Sequence, residues 1–137
     1  MKNLKLLSLT PLLLYGTVFA ASPKCDNFQI NIQNNLADDL VVSTIRLVGA
    51  EIQPKTIEHI AHGTSQVFTV NNSNENVPMT GEFTLHTISL PMKTIKITYT
   101  LDNKATFCEH TDIATEGDYS AIKSRPVGGV TYTIVNQ

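Results

Sequence analysis

The stretch Thr94 to Leu101 places Ile95, Ile97, Tyr99 and Leu101 on one parity and Thr94, Lys96, Thr98 and Thr100 on the other. A two-residue period buries one face only if the backbone is extended, because successive side chains of a strand point to opposite sides. The same period recurs along the chain. Phe28, Ile30 and Ile32 alternate with polar residues, as do Phe68 and Val70, Phe83 and Leu85, and Val130, Tyr132 and Ile134. Leu40 to Val48 is a longer β-branched run ended by Gly49, Thr56 to Ile60 a short strand, Ala105 to His110 a return strand, and Tyr119 to Ser124 a further strand. Turn signals separate them: Asn34-Asn35, His62-Gly63-Thr64, the polar Asn71–Asn76 loop closed by Pro78, Pro91, Asp102-Asn103-Lys104, and Pro126 to Gly129. Ile52-Gln53-Pro54 reads as a turn or edge segment, since Pro54 has no N–H for a ladder. Eight or nine short strands, spaced about 8 to 12 residues apart, predict an all-β fold, an antiparallel β-sandwich. No segment carries a convincing helical period, although Ile113 to Asp118 has room for one turn. Phe28, Phe68, Phe83, Tyr99 and Tyr132 all fall on the inward parity and are assigned to the core.

The amino terminus predicts export. Lys2 and Lys5 precede an apolar run from Leu6 to Ala20, and Val18-Phe19-Ala20 places acceptable side chains before a cleavage point between Ala20 and Ala21. The run is about 15 residues and holds Pro11, whereas a spanning helix needs roughly 20, so a cleavable leader is preferred to a membrane anchor. The expected organisation is a signal peptide over 1–20 and a single β-sandwich domain over 21–137, with no transmembrane segment in the mature form. Periplasmic and extracellular destinations both fit.

Two cysteines, Cys25 and Cys108, are then expected to form one disulfide in an oxidising compartment. Residues 21–137 hold 8 basic and 12 acidic side chains, a formal charge of −4 against −2 for the whole chain. A mildly acidic domain without a basic block is a poor candidate for nucleic acid.

The sequence shows no catalytic motif. Gly-x-Ser-x-Gly is absent, Gly128-Gly129 opens no helix and so cradles no phosphate, and His59 and His62 lie in strand and turn. His59, His62, His86 and His110 read as scattered, solvent-facing side chains, and no metal set or cofactor site is assigned. Asp38-Asp39 reads as turn chemistry, and the Asp112–Asp118 segment is read as a loop that ordinary turn chemistry or a low-affinity calcium ion would explain. For binding, two surfaces stand out: the apolar loop tip at Val77 and Met79, and the exposed strand face of Thr94, Lys96, Thr98 and Thr100. Phe107, on the opposite parity from Cys108, is expected to be exposed or to pack in a second layer.

Cys25-Asp26-Asn27-Phe28 after the leader, Asn34-Asn35-Leu36, Ile57-x-x-Ile60-x-x-Gly63-Thr64 and Gly81-Glu82-Phe83-Thr84-Leu85 resemble small exported β-sandwich proteins of gammaproteobacteria. Some of these are secretion-system substrates without an assigned activity. The layout is also similar, more distantly, to aegerolysin-type and actinoporin-like sandwiches, which bind membrane lipids. The absence of Trp from this chain departs from that pattern. The resulting expectation is a non-enzymatic, secreted or periplasmic binding protein whose partner is a protein, glycan or lipid. A lipid-binding or pore-forming protein is the alternative, and a hydrolase assembled from distant residues is the second alternative.

Overall fold

Ten strands form among residues 22–137, the portion that the computed structural model describes. The expected leader and the cleavage position Ala20–Ala21 lie outside the described residues. The strands are β1 (Gln29–Asn34), β2 (Leu40–Val48), β3 (Glu51–Gln53), β4 (His59–Ile60), β5 (Ser65–Asn71), β6 (Met79–Thr87), β7 (Thr94–Asn103), β8 (Cys108–Gly117), β9 (Tyr119–Ser124) and β10 (Gly129–Asn136). They make two five-stranded sheets, ordered β3-β5-β1-β10-β9 and β4-β2-β6-β7-β8. The additional strand beyond the expected eight or nine is β3, which pairs with β5. An edge strand needs partners on one side only, and Pro54 falls just beyond its last residue, so the missing N–H costs nothing there.

The inward positions set by the two-residue period are all buried, from Phe28, Ile30 and Ile32 to Val130, Tyr132 and Ile134. The inner faces interlock through aromatic rings: Phe68 of the first sheet meets Phe83 of the second at 4.9 Å, and Phe83 stacks on Tyr99 at 5.7 Å. In β2 the parity changes at a bulge between Val42 and Thr44. Leu40 and Val42 point inward before it, and Ile45 and Leu47 pack against the core after it.

The expected all-β, mostly antiparallel sandwich forms, with one parallel pair, β1 and β10, at the centre of the first sheet, Ile30 beside Val130 and Ile32 beside Tyr132. Alternation states which face a residue takes, not the direction of its neighbouring strand. The Asp112–Asp118 segment is not a loop or a helical turn. β8 continues through it to Gly117, because the ten-residue β7 supplies a partner along its whole length and a bulge at Ile113 absorbs the register shift. Gly117, at φ 130°, then turns the chain from one sheet to the other. A Cβ there would lie 2.2 Å from the Thr94 carbonyl oxygen, so glycine is required.

Cys25, ahead of β1, and Cys108, at the start of β8, are bonded with their Cα atoms 4.7 Å apart. The disulfide therefore joins the two sheets at one end of the sandwich.

Candidate binding site at the disulfide end

The loops at the disulfide end are held by side-chain amides. The Cys25 N–H donates to Asn103 Oδ1 at 2.7 Å, Asn103 Nδ2 donates to Asn72 Oδ1 at 2.9 Å, and the Asn72 N–H donates to Asp26 Oδ1 at 2.9 Å. Asn27 adopts φ 68°, and its N–H reaches the Val70 carbonyl at 2.7 Å. Asparagine tolerates that left-handed conformation better than most residues. Across from this segment the 125–128 loop is closed by the Gly129 N–H donating to the Pro126 carbonyl at 3.2 Å.

Between these segments and the Lys104–Phe107 loop lies an open cavity of about 430 Å³, within the size range of small-ligand sites. Its lining includes the buried Phe28 and Cys108, while Phe107, 54% exposed, and the fully exposed Val127 contribute apolar side chains beside solvent. Arg125 is positioned from three sides. Its Nε donates to the Gly129 carbonyl at 2.8 Å, its Nη2 makes a long contact to the Cys108 carbonyl at 3.5 Å, and its guanidinium lies 5.4 Å from the Phe28 ring centroid. Among the described residues neither Arg125 nor Lys24, which also lines the cavity, takes part in an ion pair.

His110 lies inside the sandwich near this end. The expectation of a solvent-facing ring is wrong: His110 is buried, stacked on Tyr99 at 5.5 Å and on Phe28 at 6.2 Å. Position 110 shares the inward parity of Cys108, and the aromatic surroundings make the ring good filling. Its Nε2 is 2.6 Å from the Tyr132 hydroxyl, which donates to Asp112 Oδ1 at 2.7 Å. With that proton committed to a carboxylate, the Tyr132 oxygen accepts from Nε2–H, so Nδ1 carries the lone pair and is left without a partner. Lys123 Nζ closes the open side at 2.8 Å from Asp112 Oδ2, linking the edge strands β8 and β9. Burial of the ring lowers the His110 pKa to about 4; Asp112 pulls the other way, and the charges of Arg125 and Lys123 add to the lowering. Burial also acts to raise the Asp112 pKa, but hydrogen bonds from Lys123 and Tyr132 together with nearby positive charge leave it below the usual carboxylate value.

The depressed His110 pKa makes stability depend on pH. The unfolded histidine takes its proton near pH 6.5 and the folded one only near 4, so between those values the unfolded state binds more protons. Stability therefore falls as pH drops through that window, by on the order of 3 kcal/mol, and is fully present above it. Chemical denaturation at pH 7 and pH 4.5 should show this loss. His110→Phe, which keeps a stacked ring, should remove most of the slope, and an unchanged slope would assign it to other groups.

The structure separates the residues singled out from sequence. Met79 is not an exposed tip. It is 2% exposed and belongs to the core, because β6 begins there and points it inward. Val77 remains partly exposed, and together with Met79 and Thr100 it lines a second, shallower hollow of about 330 Å³. Thr94, Lys96, Thr98 and Thr100 share the outer face of the second sheet, where Lys96 and Arg46 both approach Glu82, at 3.9 and 2.9 Å. The acids of the 112–118 segment diverge: Asp112 faces Tyr132 and Lys123, whereas Asp118 Oδ2 accepts from the Thr94 N–H at 3.0 Å. Among the described residues no group of three or more His, Cys, Asp and Glu is placed to hold a metal ion. Arg125 and Val127 were not marked by the sequence, since a lone arginine beside a turn carries no periodic signal. Phe107 gave one, its parity opposite to Cys108. No family model matches the chain, and no curated protein is significantly similar to it.

Proposed function

We propose that this chain is an exported, non-enzymatic interaction domain that engages its partner through the loops at the disulfide end. The observation that carries the reading is the cavity there, where exposed apolar side chains, Phe107 and Val127, flank an arginine held in place and left without an acidic partner. Loops carried on a rigid sandwich and fastened by a covalent cross-link bind with little ordering cost. The export expected from the leader and the observed disulfide point to a partner outside the cytoplasm.

A specific feature favours membrane docking as the second reading. At the opposite end, the β6–β7 hairpin exposes Ile88, Leu90 and Met92 while Asp38 accepts from the Ser89 N–H at 3.0 Å and pins the turn. One comparison separates the two. The purified protein is assayed against envelope or host-cell extract and against phosphatidylcholine vesicles, as parent, as Phe107→Ala/Val127→Ala and as Leu90→Ser/Met92→Ser. The first reading expects the loop variant alone to lose a partner captured from extract, and it fails if capture is unchanged. The second expects vesicle flotation that only the hairpin variant loses, and no flotation of the parent eliminates it.

A further inference from the structure

We propose that the disulfide-end cavity binds a monoanionic carboxylate carried on an apolar or aromatic body. The inference rests on the reading of this end as the binding end and adds the chemistry of what enters it. A guanidinium has five N–H donors. Arg125 directs one to the Gly129 carbonyl and one, at long range, to the Cys108 carbonyl, which leaves three for a ligand. The Phe28 ring beneath and the two carbonyls fix the fork in orientation, and a fixed fork matches a planar carboxylate better than it matches a lone hydroxyl.

Charge supports an anion. Lys24 adds a second cation to the lining, and the acid of the lining, Asp26, already accepts from the Asn72 N–H at 2.9 Å. The cavity is thus net positive in a domain whose residues 21–137 sum to −4. A dianion such as a phosphate monoester would face Asp26 with only one fork to hold it, so a single negative charge fits better. The walls supply the other half of the recognition. Phe107 from the Lys104–Phe107 loop and Val127 from the arginine's own loop offer an exposed ring and an isopropyl group, surfaces a sugar would leave unused and a hydrophobic group would cover. Two sources present this chemistry, the carboxy-terminal residue of a peptide and a free organic acid.

The test is a titration of the folded, disulfide-bonded protein followed by 15N–1H correlation spectra that include the arginine Nε–Hε signals. Probes are 3-phenylpropionate, its neutral amide, and N-acetyl-Ala-Ala-Phe with a free carboxylate. The expected result is a saturable shift of Arg125 Nε–Hε and of the Phe107 and Val127 amides with the acids, and binding of the amide weaker by about tenfold or more. The peptide binding more tightly than phenylpropionate identifies a chain terminus as the source, and equal binding identifies a free acid. Arg125→Gln should weaken the acids by at least about tenfold. Because Arg125 also braces its loop, Phe107→Ala serves as the variant that spares the fold, its ring being largely in solvent; it should weaken binding with no change in melting temperature. Equal binding of acid and amide, shifts confined to other surfaces, or no saturable shift overturns the assignment. If that happens while Phe107→Ala/Val127→Ala still abolishes partner capture, the binding end stands and only its ligand chemistry is wrong.

Discussion

Replacing both Cys25 and Cys108 with serine lowers the melting temperature by on the order of 10–20 °C. The bond closes a loop between residues 83 apart, and loop-closure entropy for such a span amounts to about 4 kcal/mol of destabilisation of the unfolded chain. The location adds to this. Cys25 anchors the segment leading into β1 of one sheet, and Cys108 starts β8 at the edge of the other, so the bond holds the sheets together at one end. Where the edge strands β8 and β9 of the two sheets face each other, the side-chain link is polar, Asp112 with Lys123 and Tyr132. Loss of the disulfide should therefore also loosen the cavity, seen as faster amide exchange at Phe28, Phe107 and Val127. Thermal unfolding of parent and double-serine protein, with and without reductant, checks the claim. Equal melting temperatures would remove the structural role of the bond.

Gly81→Ala should strongly destabilise the second sheet by driving a methyl group into a buried ring. Gly81 and Tyr99 are direct cross-strand partners on β6 and β7, and the phenol ring lies over the glycine. A Cβ at position 81 would sit 2.1 Å from Tyr99 Cζ and 2.3 Å from its hydroxyl oxygen. Tyr99 has little room to yield, being fully buried between Phe83 and His110. Its hydroxyl makes no hydrogen bond, and burial pushes its pKa above the ordinary tyrosine value. The expected cost is about 3 kcal/mol, near the upper end for overpacking a core. Tyr99→Leu removes the colliding atoms, so the Gly81→Ala/Tyr99→Leu double variant should be destabilised by roughly 1 kcal/mol or more less than the sum of the single changes. Denaturant titration of the four proteins measures the cycle. Strict additivity would show that the ring does not rest on residue 81.

The strands were largely legible because their signal is local. Ile95, Ile97, Tyr99 and Leu101 declare a buried face within eight residues, and all four are buried. Met79 shows where this legibility ends. Beside Val77 and Pro78 it reads as a loop tip, yet β6 starts at that residue, paired with Leu101 from a hairpin partner more than twenty positions away, and turns its side chain inward. His110 shows the same limit for polar residues. Its parity matched Cys108, but an imidazole gains by going inside only if a distant hydroxyl takes its N–H, and Tyr132 does.

From sequence alone, the two-residue period determined the all-β class and more than half of the core side chains, and the cysteine pair announced its own bond. Tertiary structure alone decided that β1 and β10 lie parallel, that β8 runs on through its acidic stretch, and that Phe28, Phe107, Arg125 and Val127 meet around one cavity. The reason is range: facing and periodicity are properties of adjacent residues, whereas strand order and the convergence of loops depend on contacts between segments far apart in the chain.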